Sequence, residues 1–156
     1  MANSVKPIPS GYHSVTPYLI TRGADKALDY YKRAFGAKEL MRHQTRDGKI
    51  GHAEILIGDS HIMLADEFPE MGARSPMAFG GSAVGLVLYV EDVDTVFKRA
   101  VAAGGKSIRP VEDRFYGDRS GQVEDPFGHM WTVSTHIEDL TEEEVKKRAE
   151  TSKECC

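Results

Sequence analysis

The sequence predicts an α+β fold of two tandem βαβββ modules, and three observations carry that reading. The stretch Ile57-Gly58-Asp59-Ser60-His61-Ile62-Met63 returns as Asp125-Pro126-Phe127-Gly128-His129-Met130-Trp131, with a glycine turn, a histidine and an apolar exit in each copy. His61 and His129 are 68 positions apart, and the same spacing sets Leu28 on Val96, Ala34 on Ala102, Gly36 on Gly104 and Lys38 on Lys106 without a gap. Within each copy, one stretch of helical period is closed by a glycine and flanked by stretches of strand character. The modules are expected over residues 12–67 and 81–136, with a linker at 68–80 and a C-terminal helix and tail at 137–156.

Residues 14–20 carry Val15, Tyr18 and Ile20 in near alternation, and Pro17 among them marks an edge or a bulge. Residues 25–35 place Ala27, Leu28, Tyr31, Ala34 and Phe35 on one helical stripe, and Gly36 stands where a left-handed cap belongs. Two strands follow at 40–46 and 50–57 around an Asp47-Gly48 hairpin turn, and His61 to Ala65 completes the module. The linker holds prolines and glycines with no steady period, the composition of a mobile segment or a cover. The second module repeats the order with a strand at 84–90, a helix at 93–103 capped by Gly104 and a strand at 106–111. An irregular turn at 114–119 leads to strands at 121–124 and 130–135. Thr141-Glu142-Glu143-Glu144 reads as a capping box opening a charged surface helix.

Composition narrows the partners. The chain has 156 residues, 40% hydrophobic and 28% charged, with a net charge of −4. Dispersed Lys and Arg supply no basic stripe for a phosphate backbone, so nucleic acid is not expected. No apolar run reaches the roughly 20 residues of a membrane span, and the polar start lacks a signal-peptide pattern. The expected location is cytoplasmic. Cys155 and Cys156 are adjacent and read as free thiols on a tail.

Tandem βαβββ modules, the Asp125-Pro126-Phe127-Gly128-His129-Met130-Trp131 turn, Tyr116-Gly117-Asp118-Arg119, His13-Ser14-Val15-Thr16-Pro17-Tyr18-Leu19 and Thr135-His136 together resemble the vicinal oxygen chelate superfamily. Within it the chain is similar to the PhnB-like glyoxalase/bleomycin-resistance branch. The resemblance implies a curled eight-stranded sheet, with the paired modules forming a cup and the helices on its convex side. It also implies metal-ligand positions on the first and fourth strand of each module. By the gapless spacing these are Pro17, Leu64, Gly85 and Thr132, and a slip of one residue offers Thr16, Ala65, Val84 and Val133. Neither set offers the imidazole, thiolate or carboxylate donors that zinc, iron or manganese require, so no metal is expected, and with no glycine-rich strand-to-helix turn for a nucleotide-like group no other cofactor is expected either.

If positions 17, 64, 85 and 132 face the cup, alternation adds Val15, Leu19, Ile62, Asp66, Ala83, Val87, Met130 and Ser134, and turns Tyr18, Met63, Leu86 and Trp131 towards the helices. His61 and His129, repeated at turns, read as structural. On the strand at 50–57 the apolar face of Ala53, Ile55 and Ile57 leaves His52, Glu54 and Leu56 towards the cup, so the candidate catalytic residues are His52, Glu54 and Asp66. Arg119 follows an aromatic turn and has two readings, an anchor for a carboxylate or phosphonate at the cup mouth and a salt bridge shaping the hairpin. Phe115 and Tyr116 are placed to close over a flat ligand. The expected ligand-binding set is Arg119, Tyr116, Phe115, Leu64, Asp66, Thr132 and Ser134.

The function this implies is a small-molecule binder with a mostly apolar cup. The alternatives are a metal-dependent glyoxalase-type lyase or isomerase, which the missing donors oppose, and a metal-independent enzyme using His52, Glu54 or Asp66 as base with Arg119 beside it. Open sheet edges and the apolar linker imply a homodimer.

Overall fold

A computed structural model describes residues 5–152, so Cys155 and Cys156 lie outside the described residues. The chain divides into two compact units, Met1–Gly81 and Ser82–Cys156. The first contains β1 (Tyr18–Thr21), α1 (Ala24–Phe35), β2 (Lys38–Gln44), β3 (Ile50–Ile57), β4 (Ser60–Asp66) and the short α2 (Pro76–Phe79). The second contains β5 (Gly85–Tyr89), α3 (Val93–Ala102), β6 (Lys106–Asp113), β7 (Asp118–Glu124), β8 (Met130–His136) and α4 (Glu142–Thr151). The eight strands form two four-stranded sheets, ordered β1-β4-β3-β2 and β5-β8-β7-β6. In each, the first strand lies parallel to the last, and the other pairs are antiparallel.

Local chemistry sets the boundaries. Pro17 has no N–H for a ladder, and only its carbonyl takes part, accepting from Met63 N at 3.0 Å; β1 therefore starts at Tyr18, later than expected. Helix α1 buries Ala24, Ala27, Leu28, Tyr31, Ala34 and Phe35 along one stripe and ends on Gly36 at φ 68°. Asp92 caps α3 by accepting from Thr95 N at 3.1 Å. Its C-terminal cap is Ala103 in the right-handed region, and Gly104 comes one residue later than a cap. The expected turn at 114–119 is shorter, because Arg114 N already donates to Asp118 O at 2.7 Å and β7 begins there. The linker is structured: a 3₁₀ turn (Pro69–Met71) precedes α2, and Glu67 Oε1 accepts from Ser75 N at 2.9 Å and Ser75 Oγ at 2.6 Å. Thr141 and Glu144 complete the expected capping box.

The repeat is real, but its spacing is not constant. Met41 pairs Glu54 and Arg109 pairs Gln122, which keeps 68 positions through β2 and β3. Ala53 pairs Leu64 and Gly121 pairs Val133, so β4 and β8 differ by 69. Leu19 pairs Leu64 and Leu88 pairs Val133, again 69. The added residue lies in the hairpin turn. Ile57 pairs Ser60 across two residues, whereas Asp125 N donates to His129 O at 2.9 Å across three, with Gly128 at φ 89°. The counterpart of His129 is therefore Ser60, not His61.

One residue reverses the face of a strand. Ala53 and Ile55 share a face with their partners Leu64 and Ile62, and with Leu19 beside Leu64, and all five are buried. This is the face that α1 covers. Leu64, Leu19, Ile62 and Asp66 are consequently on the helix side, and Tyr18 and Met63 are on the helix-free side, the reverse of the expectation. In the second unit a Cβ on Gly121 would meet Phe97 of α3 at 2.8 Å, so Gly121, Val133, Val123 and Trp131 face the helix. Val87, Met130, Thr132 and Ser134 take the helix-free face there, as alternation implied.

Candidate functional site

Each helix-free face carries a cluster of hydrogen-bonded polar side chains. On the first, Glu54 is nearly buried at 9% exposure, and its carboxylate accepts from the Tyr12 hydroxyl and, at 3.1 Å, from His52 Nε2. Those bonds hold Glu54 below its ordinary carboxylate pKa, Tyr12 contributing most, against the opposing effect of burial. An ionised carboxylate only accepts, so His52 Nε2 carries the proton. In the neutral imidazole Nδ1 then accepts from the Tyr18 hydroxyl, 2.8 Å away. Burial, followed by the Glu54 charge, raises the Tyr18 phenol, and the bond to Glu54 raises Tyr12. The His61 ring stacks on Tyr12 with centroids 3.8 Å apart, and its buried Nδ1 has no hydrogen-bond partner. His61 therefore belongs to this cluster and does not brace its turn.

On the second face the buried Asp118 is the hub. Its Oδ2 accepts from the Tyr89 hydroxyl at 2.7 Å and Ser134 Oγ at 3.3 Å, and its Oδ1 from His136 Nδ1 at 2.8 Å. His136 Nε2 is 2.9 Å from Asp139, so both ring nitrogens donate and the imidazole pKa is raised, mostly by Asp118. Alongside, Arg114 Nε donates to Ser120 Oγ at 3.2 Å, and Tyr116 Oη lies 3.5 Å from the same atom. Phe115 packs edge-on against Tyr116.

The expected site residues divide accordingly. His52 and Glu54 come together, while Asp66 does not join them. Asp66 Oδ1 accepts from Gly23 N at 3.0 Å and Ala24 N at 2.8 Å, and its Oδ2 accepts from Ile50 N at 2.7 Å, so it fixes the start of α1. Leu64 is core. Thr132, Ser134 and Tyr116 are near one another through Ser120, which pairs Ser134. Arg119 points to the helix side: Nε and Nη2 grip Asp94 of α3 at 2.8 and 2.9 Å, and Nη1 meets Asp113 at 2.8 Å. Its salt-bridge reading is the observed one, with partners other than those adjacent in sequence. The guanidinium near the helix-free face is that of Arg114. Tyr12, Tyr18, Tyr89, Asp118 and His136 are members that sequence reasoning missed; correct strand parity would have found Tyr18, whereas nothing local marks Tyr12.

Metal-ligand positions on first and fourth strands can be tested against these faces. On the helix-free faces these strands carry Tyr18, Ile20, His61, Met63 and Ala65 in one unit, and Gly85, Val87, Tyr89, Met130, Thr132, Ser134 and His136 in the other. Each unit thus offers one imidazole and no thiolate or carboxylate at these positions, and the His136 ring is already held by Asp118 and Asp139, which is fewer donors than such a centre requires. Among the described residues no three His, Cys, Asp or Glu side chains converge to hold a metal ion. The donor set does not fit the metal. No described helix is long and apolar enough to cross a membrane.

Comparison with known proteins agrees with this architecture. Residues 11–133 match the profile of the Glyoxalase/Bleomycin resistance protein/Dioxygenase superfamily. Uncharacterized protein Mb0911c of Mycobacterium bovis is 38% identical over 149 residues, covering 94% of each chain. TioX from Micromonospora sp. ML1 is 29% identical with a TM-score of 0.62, over 80% of this chain and 99% of that one. The PhnB protein from Bacillus cereus, at 19% identity, shares the fold with a TM-score of 0.61 over 79% of this chain and 99% of its own. With two βαβββ units in tandem and a profile match across most of its length, the chain belongs to the Glyoxalase/Bleomycin resistance protein/Dioxygenase superfamily.

Proposed function

We propose that the chain binds a small, partly aromatic or amphipathic molecule on the helix-free face of its second sheet, through its own side chains and without a metal. One observation carries this: Val87 and Tyr89 are each 61% exposed on β5, beside a polar floor of Thr132, Ser134 and Asp118. Exposed apolar and aromatic surface next to a few fixed polar groups is the composition of a ligand site. Covering it contributes roughly 25 cal/mol per Å² of apolar surface removed from water. Tyr116, with Phe115 behind it, supplies a further ring, and Arg114 with Ser120 takes the orienting role expected of Arg119. The test is a backbone amide NMR screen against small aromatic amphiphiles. The expected shifts fall on Val87, Tyr89, Tyr116, Thr132 and Ser134 and are lost in Tyr89→Ala. Binders that perturb only other residues, or stoichiometric bound zinc, nickel, iron or manganese, would overturn the reading.

Met71, Met77 and Phe79 are exposed in the segment expected to link the modules, and they support the reading that two chains pair. Light scattering should give twice the 17.3 kDa chain mass; the mass of a single chain would refute pairing.

A further inference from the structure

The first sheet carries a second, separate chemistry that does not rest on the ligand reading of the other sheet. Glu54, His52 and Tyr18 form a directed chain: carboxylate Oε1 to Nε2 at 3.1 Å, then Nδ1 to phenol at 2.8 Å. The direction is set at its buried end, where Glu54 in its ionised form accepts from Tyr12 on one oxygen and from His52 Nε2 on the other. In the neutral imidazole the lone pair on Nδ1 is then committed to Tyr18. The outer end is reachable, since Tyr18 is 47% exposed, whereas Glu54 at the inner end is shielded. A base backed by a buried carboxylate and aimed at an exposed hydroxyl is the arrangement that moves protons in hydrolytic triads, here with a phenol in the outermost place.

We propose that Tyr18, His52 and Glu54 are a metal-free proton-transfer site that removes a weakly acidic proton from a small planar molecule held against the helix-free face of the first sheet. As the substrate proton passes to the Tyr18 oxygen, the phenol proton passes to His52 Nδ1. One bond to hydrogen breaks in the substrate and one N–H bond forms, so the substrate becomes the anion and His52 the imidazolium beside the Glu54 carboxylate. Tyr18 is the group that touches substrate, and Glu54 is a positioning residue. Other titratable groups on this face are Tyr12, whose proton is held by Glu54, His61, stacked on Tyr12, His43, which pairs His52 across the ladder, and the exposed Lys38, which pairs Leu56.

The test uses a nitrobenzisoxazole, a planar neutral probe that opens when a base takes its ring C–H. That electron pair closes the nitrile, the N–O bond breaks, and a coloured cyanonitrophenolate leaves. The intact chain should open the probe at least about tenfold faster than an equal concentration of free imidazole. Both His52→Ala and Tyr18→Phe should lose about a hundredfold or return to the imidazole rate, with circular dichroism showing the fold retained. ¹⁵N NMR of the imidazole should show a single Nε2–H tautomer for His52, and Glu54→Gln should both slow the reaction and mix the tautomers. A rate no faster than imidazole, a rate unchanged in His52→Ala, an undiminished rate in Tyr18→Phe or an Nδ1–H tautomer would each overturn the relay.

Discussion

Asp125 is the residue whose removal the structure prices most clearly. It is buried, and its carboxylate accepts three N–H groups: Phe127 N at 2.9 Å and His129 N at 3.0 Å on Oδ1, and Trp131 Nε1 at 2.9 Å on Oδ2. The side chain thus shapes the three-residue turn and ties it to the largest core residue of the second unit. In Asp125→Ala all three donors lose this acceptor at about 1.5–3 kcal/mol each. Relief of the buried carboxylate's own desolvation offsets part of that, leaving a net loss of about 3–5 kcal/mol. In Asp125→Asn the carbonyl still serves the two turn amides while the amide group faces the indole N–H, so about 1–2 kcal/mol is lost. Trp131 is the single tryptophan of the chain, so its fluorescence during urea unfolding reports the second unit alone. At an m-value of about 2 kcal/mol/M, the alanine variant should unfold roughly 2 M earlier in urea and the asparagine variant less than 1 M earlier. An alanine variant within about 1 kcal/mol of the parent, or one no worse than asparagine, would refute this account of the turn.

Gly121→Ala would bring its Cβ to 2.8 Å from both Phe97 Cε2 and Val111 Cγ2, and should cost about 1–3 kcal/mol in the same fluorescence measurement; a neutral effect would mean that α3 does not sit on this face. Arg119→Ala removes partly exposed ion pairs to Asp94 and Asp113, so calorimetry should register a stability loss of about 1 kcal/mol or less and any ligand found for the second sheet should bind unchanged. A tenfold loss of affinity would return Arg119 to the site. His136 is held above its ordinary value of 6.5 by Asp118 and then Asp139. Its contribution to folding is therefore complete below about 6.5 and is lost as pH rises through the raised folded value. An NMR titration should place the midpoint above 6.5, with Asp118→Asn lowering it, and a midpoint at or below 6.5 contradicts the bond to Asp118.

The strands, both long helices and the capping box were legible because each rests on local pattern: the 3.6-residue stripe of α1, the Asp47-Gly48 turn, the Thr141 to Glu144 box. Facing was legible only where the spacing held. On β8 Thr132, Ser134 and Trp131 fell on the faces expected of them, since they were counted from their own turn. On β4 Leu64 was projected from the second module at 68 positions, and the third residue of the Asp125–His129 turn made that projection one residue wrong. Nothing in the sequence distinguishes an insertion there from an ungapped repeat, because α3 is two residues shorter than α1 and its connection to the next strand one residue longer, which returns the spacing to 68. The Arg119 partners were out of reach for another reason: Asp94 lies on a helix and becomes a neighbour only after β7 has packed beneath it. His52 and Glu54 could be paired from alternation alone, but the two tyrosines that complete their chain come from other segments.

The parallel pairing of first and last strands also governs the order in which the chain can fold. In each sheet the strand made last is an interior one, with β4 between β1 and β3 and β8 between β5 and β7. A nascent first unit can form the β2–β3 hairpin early, but β1 has no partner until residues 60–66 arrive, and the Leu19–Leu64 contact must close a long loop. Until then two strand edges and the apolar stripe of α1 stand uncovered, the condition in which partly made chains associate with one another. The second unit waits in the same way for Met130–His136. Synthesis that stalls just before residue 130 leaves a complete first unit joined to a second one missing the strand on which both of its neighbours pair.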